Sequence, residues 1–294
     1  MPNSPRSPLL VACLAVVYLV WGSTYLAIHF VVDGIPPLMS SALRNFCAGP
    51  ILFAFLKWRG APWPTPRQWR NGALIGFMMM GLGNGFVCLA ETRVPSGLAA
   101  LVIAGVPVFA ILFAWALNGA RPRLLEGLGI ALGLAGMGLL NLDLRAAASP
   151  AYVGVLFIAA ASWAGATVLQ RRLDMPAGPM SAAVQMLGGG ASLVVMSALR
   201  GERLDVATVP LPSWLALAYL VVFGSIIAYT AFIYVINHSR PALATSYAYV
   251  NPVVAVGLGV LFAGEGVSWP IVAGMAVILA GVGLVMLGGV RGRA

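Results

Sequence analysis

Within the stretch VYLVWGSTYLAIH, Val17–His29, the residues Tyr18, Trp21, Gly22, Tyr25 and His29 recur at the spacing of one helix face. An indole, two phenols and an imidazole beside a glycine gap can stack on a flat molecule, attract a cation and donate hydrogen bonds. That is the chemistry of holding a molecule, not of breaking one. Related groups recur along the chain. Asn84, Cys88 and Glu91 share a face, as do Trp163, Thr167 and Gln170, and Tyr247 and Asn251 lie one turn apart just before Pro252. Trp21, Tyr25, Asn84, Trp163 and Thr167 form the candidate substrate-binding set, with Arg44, Glu91, Gln185, Tyr247 and Asn251 as further candidates. An interhelical hydrogen bond accounts equally well for Asn45, Gln185 or Asn251 taken singly, and pairing with Glu91 or a backbone carbonyl would account for Arg44.

Catalytic and metal-binding spacings are absent from the sequence. It has two histidines, His29 and His238, and no HExxH. Gly81-Leu82-Gly83-Asn84-Gly85 lacks the Lys-Ser/Thr of a phosphate loop and lies in an apolar run, so close helix packing is its reading. Cys13, Cys47 and Cys88 lie in apolar runs without CxxC spacing and read as free thiols. An enzyme, a metal site and a cofactor are therefore not expected.

These residues must be positioned by helices in lipid. Of 294 residues, 61% are hydrophobic and 9% charged, against roughly 25% charged in soluble domains. A bilayer core of about 30 Å takes some 20 apolar residues per helix. Breaks at Pro, Gly and charge clusters give ten runs, near 8–32, 36–57, 69–91, 95–118, 123–142, 151–171, 178–199, 212–236, 241–263 and 268–289. The first run is too long for a removed signal peptide and lacks a small-residue cleavage site. The net charge of +9 is scattered between the runs, which argues against a nucleic-acid partner. With the N-terminus inside, twelve basic residues (Arg6, Lys57, Arg59, Arg67, Arg70, Arg121, Arg123, Arg171, Arg172, Arg240, Arg291, Arg293) are cytoplasmic, and four (Arg93, Arg145, Arg200, Arg203) are not. Both termini are thus expected in the cytoplasm.

The chain also repeats itself. Trp21 matches Trp163, Met39-Ser40 matches Met180-Ser181, Phe86 and Pro95 match Phe232 and Pro241, and Pro107 matches Pro252. Ala135-Gly136-Met137-Gly138-Leu139 matches Ala280-Gly281-Val282-Gly283-Leu284, and all offsets lie between 141 and 146. Two halves, 1–147 and 148–294, each carry five spans. An odd number makes the second half enter the membrane from the opposite side, and such inverted repeats mark alternating-access transporters. The expectation is an all-α integral membrane protein of ten transmembrane helices in two inverted five-helix repeats. Pro107 and Pro252 interrupt or kink their spans and are candidate hinges. The glycine run Gly127–Gly138 reads as internal packing, and a monomer is expected. All eight carboxylates lie at span ends or in loops, which favours movement down a substrate gradient, or exchange, over proton coupling.

WGSTYLAI in the first span, YAYVNPVVAVGLG (247–259) and LFAGE (261–265), with ten spans in two halves, resemble the drug/metabolite transporter superfamily. Within it the chain is similar to the EamA-type ten-span drug/metabolite exporters, most closely their YedA-like members. The resemblance covers residues from about Leu9 to Leu287. It implies a basket of helices around a central cavity, in the bacterial inner membrane, exporting amino acids (aromatic ones included) and related small metabolites. A broad drug/metabolite exporter and a non-transporting scaffold subunit are the alternatives. One departure is visible: Gly264-Glu265 follows the ninth span, whereas Gly119-Ala120 holds the equivalent place in the first half. Glu265 is read as a helix cap or interface residue.

Overall fold

The computed structural model describes residues 8–94, 96–119, 124–140, 149–239, 241–263 and 269–290. Every regular element among them is helical: α1 Pro8–Val32, α2 Pro37–Trp58, α3 Pro66–Glu91, α4 Ser96–Ile103, α5 Val106–Asn118, α6 Leu124–Leu140, α7 Pro150–Leu169, α8 Pro179–Leu199, α9 Leu211–His238, α10 Pro241–Ala244, α11 Tyr247–Ala263 and α12 Trp269–Val290. By length and composition α1, α2, α3, α7, α8 and α9 can each cross a membrane, and shorter apolar stretches lie within α5, α6 and α12. Of the residues named above, Arg6, Pro95, Ala120, Arg121, Arg123, Arg145, Arg240, Gly264, Glu265, Arg291 and Arg293 lie outside the described residues, as does the 147/148 boundary.

Local sequence explains the helix starts. Several helices open with proline in the first turn, where its missing N–H has no intrahelical partner to lose. Thr65 and Gln68 form a capping box that starts α3. Two helices change pitch in mid-course: α3 is π-helical over Phe77–Gly85 and α9 over Leu220–Ile227. The fourth and ninth apolar runs are each broken, at Ala104–Gly105 and at Thr245–Ser246. Pro107 stands in the first turn of α5, directly after its break. Pro252 differs, lying inside α11 several residues beyond the break.

The packing pairs elements across the chain. α1 packs against α9 and α11, while α7 packs against α3, α4 and α5. α2 lies along α8, and α6 along α12. At one end of the bundle the segments after α2, α5, α7 and α9 meet. Gln68 Nε2 donates to Asp174 Oδ1 at 3.0 Å, Arg171 to the Ser239 carbonyl at 2.9 Å, and Arg172 to the Leu117 carbonyl. At the other end Glu202 accepts from the Met39 N–H at 2.8 Å, and Ser213 donates to the Phe30 carbonyl at 2.7 Å.

Small residues set the closest approaches, because without a hydrophobic force between helices in lipid it is tight packing that joins them. In the run Gly127–Gly138, Gly136 lies against the Gly274 carbonyl of α12, and Gly281 lies against that of Gly129, so the face is internal at these positions. Gly76 of α3 is tighter still: a Cβ there would stand 2.1 Å from the Gln185 carbonyl and 2.7 Å from the Gly189 nitrogen, both backbone atoms of α8. Gly76→Ala must push the two helices apart. A loss of about 1–3 kcal/mol is expected, typical of overpacking, and is read as a lowered unfolding midpoint in detergent. Gly127→Ala, which meets nothing within 4 Å, is the unaffected control.

Candidate functional site

Where α1, α2, α3, α4, α7, α8, α9 and α11 converge, they line a cavity of about 60 Å³. Trp21 and Trp163 form its middle. Both are buried, and their rings meet edge to face with centroids 5.5 Å apart and an interplanar angle of 85°. That arrangement sets the positive rim of one ring against the negative face of the other. The indoles therefore adjoin one another and do not bracket an open gap. Phe232 lies 4.7 Å from Trp21, Tyr247 4.8 Å from it, and Tyr229 6.3 Å from Trp163, completing an aromatic cluster from four helices.

The two pitch changes seat the two indoles. Trp21 Nε1 donates to the Gly224 carbonyl at 3.0 Å, inside the π-helical part of α9. Trp163 rests on the π-helical part of α3, where a Cβ at Gly83 would stand 2.6 Å from its ring. A wider turn with glycine at the contact lets a ring or its N–H come right against the backbone, and π-helical turns are frequent at functional sites. The Trp163 N–H lies near the Tyr247 hydroxyl but makes no well-formed hydrogen bond among the described residues. A threonine one turn on donates back to each tryptophan carbonyl, Thr24 at 2.7 Å and Thr167 at 2.8 Å.

The polar end of the cavity is built from α2, α3, α9 and α11. Arg44 is 5% exposed and lines the cavity, and its Nε donates to Ser225 Oγ at 2.6 Å. Its partner is thus a hydroxyl, and no ion pair with Glu91 forms. Among the described residues Asn84 finds only the Met80 sulfur, a weak acceptor, at 3.4 Å. The Tyr25 hydroxyl faces Asn251, whose Oδ1 has no well-formed partner.

Seven of the sequence candidates line this one cavity: Trp21, Tyr25, Arg44, Asn84, Trp163, Tyr247 and Asn251. Thr167, Glu91 and Gln185 do not line it. Thr167 is back-bonded within α7. Gln185 belongs to an adjoining network in which it donates to Gln170 at 3.1 Å and Ser181 at 2.9 Å and accepts from Tyr229. Glu91 is buried at the end of α3, and neither of its oxygens is hydrogen-bonded among the described residues. His29, on the expected face of α1, is exposed. Ser225 and Tyr229 line the cavity and were not among the candidates. The signal was present, as a hydroxyl and a phenol one helical turn apart within an apolar run. Ser225→Ala removes the hydroxyl on which the buried Arg44 rests. A loss of about 1.5–3 kcal/mol is expected, as for a hydrogen bond to a charged group, seen as a lowered midpoint of unfolding.

The comparisons with known proteins agree with this architecture. A solved protein crystal structure superposes with a TM-score of 0.75 over 98% of this chain and 100% of its own, at 24% identity. The "Uncharacterized inner membrane transporter YedA" of Escherichia coli (strain K12) is 44% identical over 280 residues, covering 95% of this chain and 91% of that protein. "Protein PecM" of Dickeya dadantii (strain 3937) is 27% identical, covering 88% and 86%. The family model described as the EamA-like transporter family matches twice, over residues 7–142 and 151–287. This chain belongs to the EamA-like transporter family, within the drug/metabolite transporter superfamily.

Proposed function

We propose that the protein is a ten-span transporter of the bacterial inner membrane. Two inverted five-helix repeats, 1–147 and 148–294, export amino acids, aromatic ones included, and related small metabolites by alternating access. The observation that carries this reading is the aromatic cavity at the meeting point of helices from both repeats. Its 60 Å³ holds a few water molecules, well short of the roughly 300 Å³ at which small-molecule pockets begin. The cavity widens to hold a substrate when the halves move, and the same indoles that now touch one another then stack on it.

Several features support the inverted arrangement. The partners of α1 in the second half correspond to those of α7 in the first, and α2 with α8 and α6 with α12 pair across the same axis. The family model matches each half separately. The segments joined at the two ends alternate as ten antiparallel crossings require. The end carrying Lys57, Arg59, Arg67, Arg70, Arg171 and Arg172 is assigned to the cytoplasm by its positive charge, and the printed name of the YedA relative supports the inner membrane. The breaks at Ala104–Gly105 and Thr245–Ser246 flank cavity residues Ile103 and Tyr247. Discontinuous helices of this kind border the moving site in many transporters. Pro107 and Pro252 lie beyond these breaks as hinge elements.

A panel of labelled amino acids and nucleosides in proteoliposomes tests the reading. Labelled phenylalanine or tryptophan is expected to move across the sealed bilayer, and flux of neither over protein-free vesicles would refute the assignment. Trp163→Ala is expected to abolish that flux. Truncating a buried tryptophan also costs about 3–5 kcal/mol, so Trp163→Phe separates packing from contact: it is expected to insert and fold while moving substrate at least tenfold more slowly.

A further inference from the structure

We propose that Arg44 is the anchor for a substrate carboxylate. The site then recognises aromatic monocarboxylates, amino acids among them, and the amino group is dispensable. This rests on the transport reading above and names its substrate class. A guanidinium cannot shed its charge by deprotonating at neutral pH, and a buried cation without an anion is costly. Arg44 is in that position: buried, on the cavity wall, with no carboxylate of the described residues in ion-pair contact. Among the described residues its side-chain bond is the one from Nε to Ser225 Oγ, which fixes the plane of the guanidinium and leaves the two Nη groups unbonded, with Nη2 against Gly224. Paired Nη–H donors match a carboxylate in a two-point fork.

The rest of the lining sets the remainder of the class. Among the described residues no aspartate, glutamate or lysine lines the cavity, and Arg44 is the one cation that does. One cation neutralises a monoanion, whereas a phosphate dianion would bring a second charge with nothing opposite it. Trp21, Trp163, Tyr229 and Tyr247 line the same cavity and offer a ring faces on which to stack. An ammonium group meets only neutral acceptors such as Asn251 Oδ1, which has no well-formed partner, and the faces of the rings. Glu91, the acid of the neighbouring turn, lies off the lining. Neutral contacts of that kind change affinity by about tenfold or less, while losing a charge-assisted fork costs roughly ten- to a hundredfold.

The test is thermal stabilisation of the full-length protein in detergent by four probes: phenylpropionate, L-phenylalanine, phenethylamine and inorganic phosphate. Phenylpropionate and phenylalanine are expected to raise the unfolding midpoint with dissociation constants within about tenfold of each other, while phenethylamine and phosphate leave it unchanged. Arg44→Gln is expected to weaken both carboxylates roughly ten- to a hundredfold, and Arg44→Lys, which keeps the charge and loses the fork, by an intermediate factor. Stabilisation by phenethylamine equal to that by phenylpropionate, no stabilisation by either carboxylate, or full carboxylate binding by Arg44→Gln would each overturn the assignment. The wild-type probes decide even if neither variant folds. Carboxylate binding without flux in proteoliposomes would refute transport and leave the anchor standing.

Discussion

The contact between Trp21 and Trp163 is the constraint around which the rest of the molecule is arranged. Two indoles cannot meet at the centre of a membrane bundle unless the helices carrying them approach closely and each ring has a seat. Glycine supplies both seats, Gly224 of α9 for Trp21 and Gly83 of α3 for Trp163, and a widened helical turn presents each glycine. The equivalence ends at the hydrogen bond. The Trp21 N–H is bound to the backbone, while that of Trp163 has no well-formed partner. The two tryptophans are therefore alike in how they are seated and unlike in what they offer a ligand.

The second consequence concerns charge. An apolar bundle tolerates few buried polar groups, so those it keeps are informative. Three groups of them stand out, besides Glu91, which is buried off the cavity lining. Gln185 hydrogen-bonds Gln170, Ser181 and Tyr229 in a network that joins the end of α7 to α8 and α9. Glu202 reaches across to the start of α2 and holds one end of the bundle together. Arg44, Asn84 and Asn251 are under-satisfied and face the cavity. The first two sets stabilise the fold, and the third remains open to a ligand.

How much of this was legible in the sequence follows from how local each signal is. Helices in lipid must satisfy their own backbones, so apolar run length marks them, and the runs at 8–32, 36–57, 178–199 and 212–236 match α1, α2, α8 and α9 within two residues at each end. Helical periodicity likewise placed Trp21 and Tyr25 on one inward face. It went wrong at His29, which is exposed because the inward face there passes through its neighbours Ile28 and Val31. Pro252 marked the right run but not its break, since a proline in lipid is tolerated where neighbouring helices take up the freed backbone groups.

The sequence by itself determined the class of molecule, the helical runs and their polar faces, because composition and periodicity are properties of single segments. Only the tertiary structure decided which of those faces meet. It brought seven candidates to one cavity and left Thr167, Gln185 and Glu91 outside it, and it added Ser225 and Tyr229. It also showed Arg44 resting on Ser225 and not on Glu91. Those outcomes depend on the rotation of each helix and on glycine contacts between segments far apart in the chain, such as Gly83 with Trp163 and Trp21 with Gly224. Side-chain spacing within one helix carries no information about its rotation against another.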